Sequence, residues 1–247
     1  MGGFQGVLKD VTAPILGSFA IRAALERSGV KAEDIDEVLM GCVLTAGMGQ
    51  APARQASIGA GIPDAAGCTT VNKMCGSGMK TTMLAHDSLL AGTNEVMVAG
   101  GLESMSNAPY ILQKARSGQR LGHGQMIDHM FLDGLEDAFD KGTLMGVFAE
   151  RTAQKYGFSR EAQDEFAIRS LTRAKKAIED GSFKSEVTPV TFKNRKGETV
   201  VEQDEQPLIA DLDKIPKLRP AFEKDGTVTA ANSSSISDGA AALILMR

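Results

Sequence analysis

An α/β fold built on a layered sheet is predicted by three features of this 247-residue chain. Near-continuous apolar runs over Glu37 to Leu44 and Glu95 to Ala99 suit strands covered on both faces. Between such runs stand stretches whose apolar residues recur at helical spacing. Strands that alternate with helices in this way imply βαβ crossovers and a sheet with helices laid against it.

The elements follow in order. Ile15 to Ser28 carries Leu16, Phe19, Ala20, Ala23 and Ala24 at helical spacing, and Gly29 supplies a stop. Glu37 to Leu44 is the first buried strand. Ala51 to Gly59 is a second helix, with Pro52 in its first turn. Cys68 to Val71 is a short β-favouring run, and Met79 to Ala91 is a helix closed by Gly92. That helix has few polar residues on any side, so it is expected to be buried all round. His86 falls on its Met79, Met83, Leu90 stripe and is read as a core histidine with its hydrogen bonds satisfied. Glu95 to Ala99 is the next strand, ended by Gly100-Gly101.

From Met105 the composition changes. Gln113 to Gly124 is rich in Gly, Gln, Lys and Arg and reads as an exposed excursion, with His123 a loop residue. Thr143 to Tyr156 and Arg160 to Asp180 are helices, the second capped by Ser159 and stopped by Gly181. Phe166, Ala174, Ala177 and Ile178 are assigned to its apolar face. Val187 to Phe192 and Glu198 to Glu202 form a hairpin, whose turn carries Lys193, Arg195 and Lys196 as a solvated tip. Thr227 to Ala231 and Ala240 to Met246 are read as strands.

Composition narrows the function classes. At 43% hydrophobic and 23% charged residues the chain is ordinary globular protein. A net charge of −4 argues against a nucleic-acid surface. Three cysteines without a repeated spacing suit a reducing compartment, and no Cys/His spacing suits zinc, so no metal is expected. No apolar run approaches a membrane span, and the N-terminus has no secretory pattern. A cytoplasmic location without membrane contact is the expectation.

One residue stands out for chemistry. Cys75, in VNKMCGSGM, lies at a strand-to-helix turn, where the positive end of a helix favours the thiolate over the thiol. Gly76 and Gly78 leave room for an acyl group and for backbone donors to its oxyanion. The competing reading is a small buried hydrophobe, the usual fate of a free cysteine. Other motifs fail on spacing. Gly78-Met79-Lys80-Thr81 lacks the glycines of a phosphate loop, Gly47-Met48-Gly49 meets Pro52 where a dinucleotide fingerprint needs its third glycine, and Gly76-Ser77-Gly78 lacks the frame of a serine elbow.

The wider string VNKMCGSGM followed by VMVAGGLESMS closely resembles the nucleophile region of the thiolases. The likeness continues through QAPARQASIGAGIP, MIDHMFLDGLEDAF, LMGVFAERTAQKYGFSREAQDEFA and KLRPAFEKDGTVTAANSSSISDGAAALILM. It implies a thiolase-like fold: the N-terminal half of a layered αβαβα architecture with an inserted α+β loop domain. Residues 1–104 and 236–247 correspond to the core half, and residues 105–235 to the insertion that covers coenzyme A.

The resemblance further implies acyl transfer between coenzyme A thioesters through an acyl-Cys75 intermediate. The reaction is condensation of two acetyl-CoA to acetoacetyl-CoA, or the reverse thiolysis, with no cofactor beyond these thioester substrates. By position, Leu135, Met145, Ala221, Phe222, Ala230 and Ser234 resemble residues lining the coenzyme A and acyl pocket. Leu144-Met145-Gly146 is most similar to acetoacetyl-CoA thiolases. A homodimer or homotetramer is implied, with the excursion from Gln113 to His129 similar to the loop that joins dimers.

The family's Gly-His-Pro, Asn-Glu-Ala-Phe and Cys-x-Gly motifs are not in this sequence, nor are the first strand of the core half and the Arg-Thr-Pro that precede Met-Gly-Gly-Phe in the family. The chain is therefore expected to represent the N-terminal part and to be inactive alone. Three alternatives stand beside this reading. They are a 3-ketoacyl-CoA thiolase of longer chain preference, a decarboxylating synthase of the same superfamily, and a non-catalytic coenzyme A-binding or interaction module.

Overall fold

The computed structural model describes residues 1–195 and 197–247. In chain order its strands are β1 (Gly2–Gly3), β2 (Glu37–Gly41), β3 (Gly67–Val71), β4 (Val96–Ser104), β5 (Tyr110–Ile111), β6 (Ile127–Asp128), β7 (Val190–Asn194), β8 (Gly197–Val201) and β9 (Ser237–Met246). The helices are α1 (Ala13–Ser28), α2 (Pro52–Ala60), α3 (Ser77–Ala91), α4 (Met145–Tyr156), α5 (Arg160–Glu179) and the short α6 (Glu205–Ile209). They divide into two compact units: Met1–Pro109 with Thr188–Glu202 and Ser237–Arg247, and Tyr110–Val187 with Gln203–Ile236.

The first unit is organised on a five-stranded sheet of order β1-β9-β4-β2-β3. β2 runs parallel to β3 and to β4, whereas β9 lies antiparallel to β4 and to β1. Side-chain alternation along a strand explains why the central runs are apolar throughout. Val38, Met40 and Val98 belong to one buried cluster with Ala13, Ile21 and Leu25 of α1 and Ala53 and Ala56 of α2. Leu39, Met97 and Ala99 belong to another, with Ala85 and Leu89 of α3. The mixed α/β architecture is the predicted one.

The helix stops are where the sequence puts them. Gly29 and Gly92 follow α1 and α3 in the left-handed region, at φ +70° and +73°, which a residue without Cβ adopts at little cost.

Several expectations need correction. β4 does not stop before Gly100-Gly101 but continues through them to Ser104. A Cβ on Gly100 would lie 2.1 Å from the Ala241 carbonyl oxygen, so these glycines mark close strand approach and not a turn. β2 ends at Gly41, three residues early, because Val43 and Leu44 give their amides to the Glu103 carboxylate. Helix α3 is not buried all round. Met79, Met83 and Leu90 are 73%, 58% and 75% exposed. His86 is accordingly not in the core: its ring is exposed and meets Asp87 at 3.3 Å.

The β7–β8 hairpin, read from sequence as part of the 105–235 segment, packs with the first unit. Val190, Phe192 and Val201 cover Leu8, Val11 and Leu16. Of the three basic residues assigned to its tip, Lys193 and Arg195 are described; Lys196 lies outside the described residues.

The second unit contains α4, α5 and α6, the β5–β6 pair and a single π turn at Phe131–Leu135. Residues 112–118 and 120–126 are exposed, as an excursion should be. Ser159 caps α5 by accepting the Ala162 amide. Phe166 is exposed, with the Arg169 guanidinium 5.3 Å from its ring centroid, so it does not belong to the apolar face of α5.

Residues 227–231, expected as a strand, pair with no neighbouring strand among the described residues. Their polar demands are met by side chains. Glu150, 1% exposed on α4, accepts the amides of Thr227 and Val228 and the Thr227 hydroxyl. Asn232 accepts the Thr229 amide and donates to Asp164, which also binds Arg160 Nε at 2.7 Å. Arg160 Nη2 donates in turn to the carbonyls of Ile215 and Leu218.

Candidate active site

The first unit carries the Cys75 elbow. β3 ends at Val71, and Asn72 to Gly76 turn the chain into α3. Asn72 Oδ1 accepts the Met74 amide at 3.0 Å, and Met74 adopts φ +49°. Such a backbone is costly for a methionine and persists only where its surroundings hold it. Ser77 does much of the holding: its hydroxyl accepts the Lys73 amide at 2.9 Å and donates to the Met74 carbonyl at 2.6 Å. The turn is therefore closed from both ends.

What lies under α3 explains why its first residues can sit so near the sheet. A Cβ on Gly41 would fall 2.6 Å from Ser77 C and 2.7 Å from Gly78 N. Thr81, fully buried, donates to the carbonyls of Gly78 and Gly100 at 2.7 and 2.8 Å. Strand glycines and one threonine thus seat the N-terminal turn of α3 directly on the end of β2 and the middle of β4. Cys75 precedes the N-cap residue Gly76 by one position, within the first-turn region where the helix macrodipole acts.

The three cysteines differ sharply. Cys75 is exposed, Cys68 is half-buried and Cys42 is buried. Burial, reinforced by the neighbouring Glu103 carboxylate, pushes the Cys42 thiol far above its ordinary value. Cys68 donates toward the Ala66 carbonyl at 3.5 Å. Only Cys75 combines exposure with a helix N-terminus, so the reading of it as a buried hydrophobe fails.

The residues assigned to coenzyme A lie in the second unit. Leu135, half-buried, ends the π turn, and Met145 opens α4. The antiparallel bridge between Glu136 and Leu144 sets these two opposite each other in register. Phe222 lies on the start of the same helix: a Cβ on Gly146 would meet its ring carbons at 2.3 Å. Ala221 donates its amide to Val228 O at 2.9 Å, beside the Glu150 network. Leu135, Met145, Ala221 and Phe222 are thereby linked through α4. Ala230 and Ser234 are exposed on the turn organised by Thr229, which accepts from Ser233 and from the amides of Ala231 and Asn232.

Gly146→Ala is expected to displace the Phe222 ring and lower stability by about 1–3 kcal/mol. A urea melt with the Phe222 ring resonances followed by NMR checks it; unchanged resonances would contradict the packing.

Sequence reasoning missed the carboxylates that support both regions. Glu103 and Glu150 are anonymous acids in the primary structure, because their partners lie 59 to 78 positions away. The one available signal was an acid inside an apolar stretch, as in VAGGLES and VFAER. Among the described residues, no group of three His, Cys, Asp or Glu side chains is placed to hold a metal ion. Among the same residues no helix is long and apolar enough to cross a membrane.

Comparison with known proteins decides the family. The model of the thiolase N-terminal domain matches residues 1–247. The chain belongs to the thiolase family. This thiolase chain is 50% identical to the acetyl-CoA acetyltransferase of Pseudomonas aeruginosa and 49% identical to that of Cupriavidus necator, over 100% of its own length and 63% of each relative. Against acetyl-CoA acetyltransferase A, mitochondrial, of Xenopus laevis, it is 50% identical over 100% of the chain and 58% of the relative. The chain thus spans less than two thirds of the length of these thiolases.

Proposed function

We propose that Cys75 is the acyl acceptor of an acetyl-CoA acetyltransferase. The observation that carries this is the exposed thiol one residue before the cap of a helix seated on glycines. In the first step with acetyl-CoA, the Cys75 sulfur bonds to the thioester carbon, the carbon–sulfur bond to coenzyme A breaks, and coenzyme A leaves with the proton; with acetoacetyl-CoA the sulfur bonds to the C3 carbonyl carbon, the C2–C3 bond breaks, and acetyl-CoA leaves with the proton on its methyl carbon. Covalent transfer divides one difficult exchange into two easier ones. Backbone amides at the elbow are suited to the oxyanion that forms on the way. Leu135, Met145, Ala221, Phe222, Ala230 and Ser234 are proposed to line the coenzyme A and acyl pocket, and the names of the relatives support an acetyl group over a longer one.

The second step needs a base to deprotonate the incoming acetyl-CoA or thiol. The Gly-His-Pro, Asn-Glu-Ala-Phe and Cys-x-Gly motifs that the thiolase resemblance assigns to that step are not in this sequence. On this reading the 247 residues reach the acyl-cysteine and turn over slowly or not at all. A homodimer or homotetramer, and a cytoplasmic site of action, complete the proposal.

One competing reading is a module that binds coenzyme A without chemistry. Incubation with acetyl-CoA, acid quenching and intact-mass measurement separate the two. The expected result is one acetyl group, labile to hydroxylamine and lost in Cys75→Ser. Acetylation surviving Cys75→Ser overturns the assignment, and retention on immobilised coenzyme A with no adduct selects the binding module.

A further inference from the structure

Beside the elbow, the exit of β2 is held by a carboxylate from β4. Val43 donates its amide to Glu103 Oε2 at 2.8 Å and Leu44 donates to Oε1 at 3.1 Å. The Cys42 thiol donates to Oε1 at 3.6 Å. Three consecutive residues are thus gathered onto one carboxylate, in a place where Cys42 and Leu44 are each 1% exposed. Hydrogen bonds of amides to a charged acceptor are among the stronger ones.

The gathered segment touches the elbow on both sides. Cys42 donates its own amide to Val71 O at 3.0 Å, the last residue of β3 before the turn begins. Gly41, one residue earlier, backs Ser77 and Gly78, the first residues of α3. The strand leading into Cys75 and the helix leading away are therefore both braced by residues 41–42, which the sheet pairs with β3 and β4 and which Glu103 holds from the side of residues 43–44.

We infer that Glu103 is a positioning residue for Cys75: its carboxylate pins residues 42–44 and, through Gly41 and Cys42, holds the helix N-terminus behind the reactive sulfur. Its role lies in reach, not in charge at the sulfur. The same bonds keep the Cys42 thiol out of reaction. The inference rests on Cys75 being the nucleophile, but its test does not involve coenzyme A.

The test is alkylation of the folded chain by iodoacetamide, followed cysteine by cysteine by peptide mass. Cys75 is already exposed, so a variant that is merely less stable alkylates Cys75 at the same rate and only Cys42 faster. Glu103→Gln is expected to slow Cys75 about fivefold, the scale of a helix-terminus interaction. Glu103→Asp keeps the charge but draws the carboxyl back from the amides, and should slow Cys75 as well. In urea all three proteins should react alike. A Cys75 rate unchanged or raised in Glu103→Asp overturns the inference, and so does a change confined to Cys42. Should Glu103→Gln not fold, Glu103→Asp carries the test. A failed acetylation experiment leaves these rates equally readable.

Discussion

Gly100→Ala is expected to destabilise the first unit by about 3 kcal/mol, the upper part of the range for overpacking a filled core. The added Cβ would stand 2.1 Å from Ala241 O and 3.0 Å from Ala242 Cα. Both are backbone atoms of β9, so no side chain can swing aside. Relief requires β4 and β9 to separate, or α3 to lose the bond from Thr81 to Gly100 O. Gly78→Ala is the matched control. Its Cβ would meet nothing nearer than 3.8 Å, and in a helix alanine is favoured over glycine by roughly 0.5–1 kcal/mol. Urea melts of the two variants should therefore move in opposite directions; equal losses would mean that the glycines serve chain freedom and not close approach.

Glu150→Gln is expected to cost about 2 kcal/mol in the second unit, the scale of hydrogen bonds to a charged group. In either orientation the new amide nitrogen would face the Thr227 amide, donor against donor. Burial alone would push the Glu150 carboxyl up, but the bonds from Thr227 and Val228 outweigh it and hold the group below its ordinary value of 4.5. Because the folded value is depressed, the stabilisation is complete above 4.5 and is lost as pH falls through the folded value. Wild-type stability should decline across that window while Glu150→Gln declines less. Parallel pH profiles from thermal melts would contradict the assignment.

These two residues mark where the sequence was and was not legible. Helix positions, the glycine stops at 29 and 92, the βαβ alternation and the turn at Cys75 follow from local pattern, because short-range spacing determines them. Gly100-Gly101 carries the same letters as a turn, and only the approach of β9 distinguishes the two. The Thr227–Ala231 run has the composition of a strand, but its hydrogen bonds go to Glu150 and Asn232. The apolar chemistry of Met79, Met83 and Leu90 predicts burial, yet burial requires a covering element, and that is not a property of the helix's own sequence.

The position of β9 has a consequence for synthesis. This strand lies between β1 and β4, inside the sheet, but is synthesised after every other strand of that sheet. Until then β4 presents an open row of amides and carbonyls, the template that other chains pair with most readily. All of the second unit, and the β7–β8 hairpin, emerge while that slot is empty. Long-range pairing of this kind folds slowly, so yield from expression should depend more on shielding nascent β4, by chaperones or low temperature, than on the stability of the finished sheet.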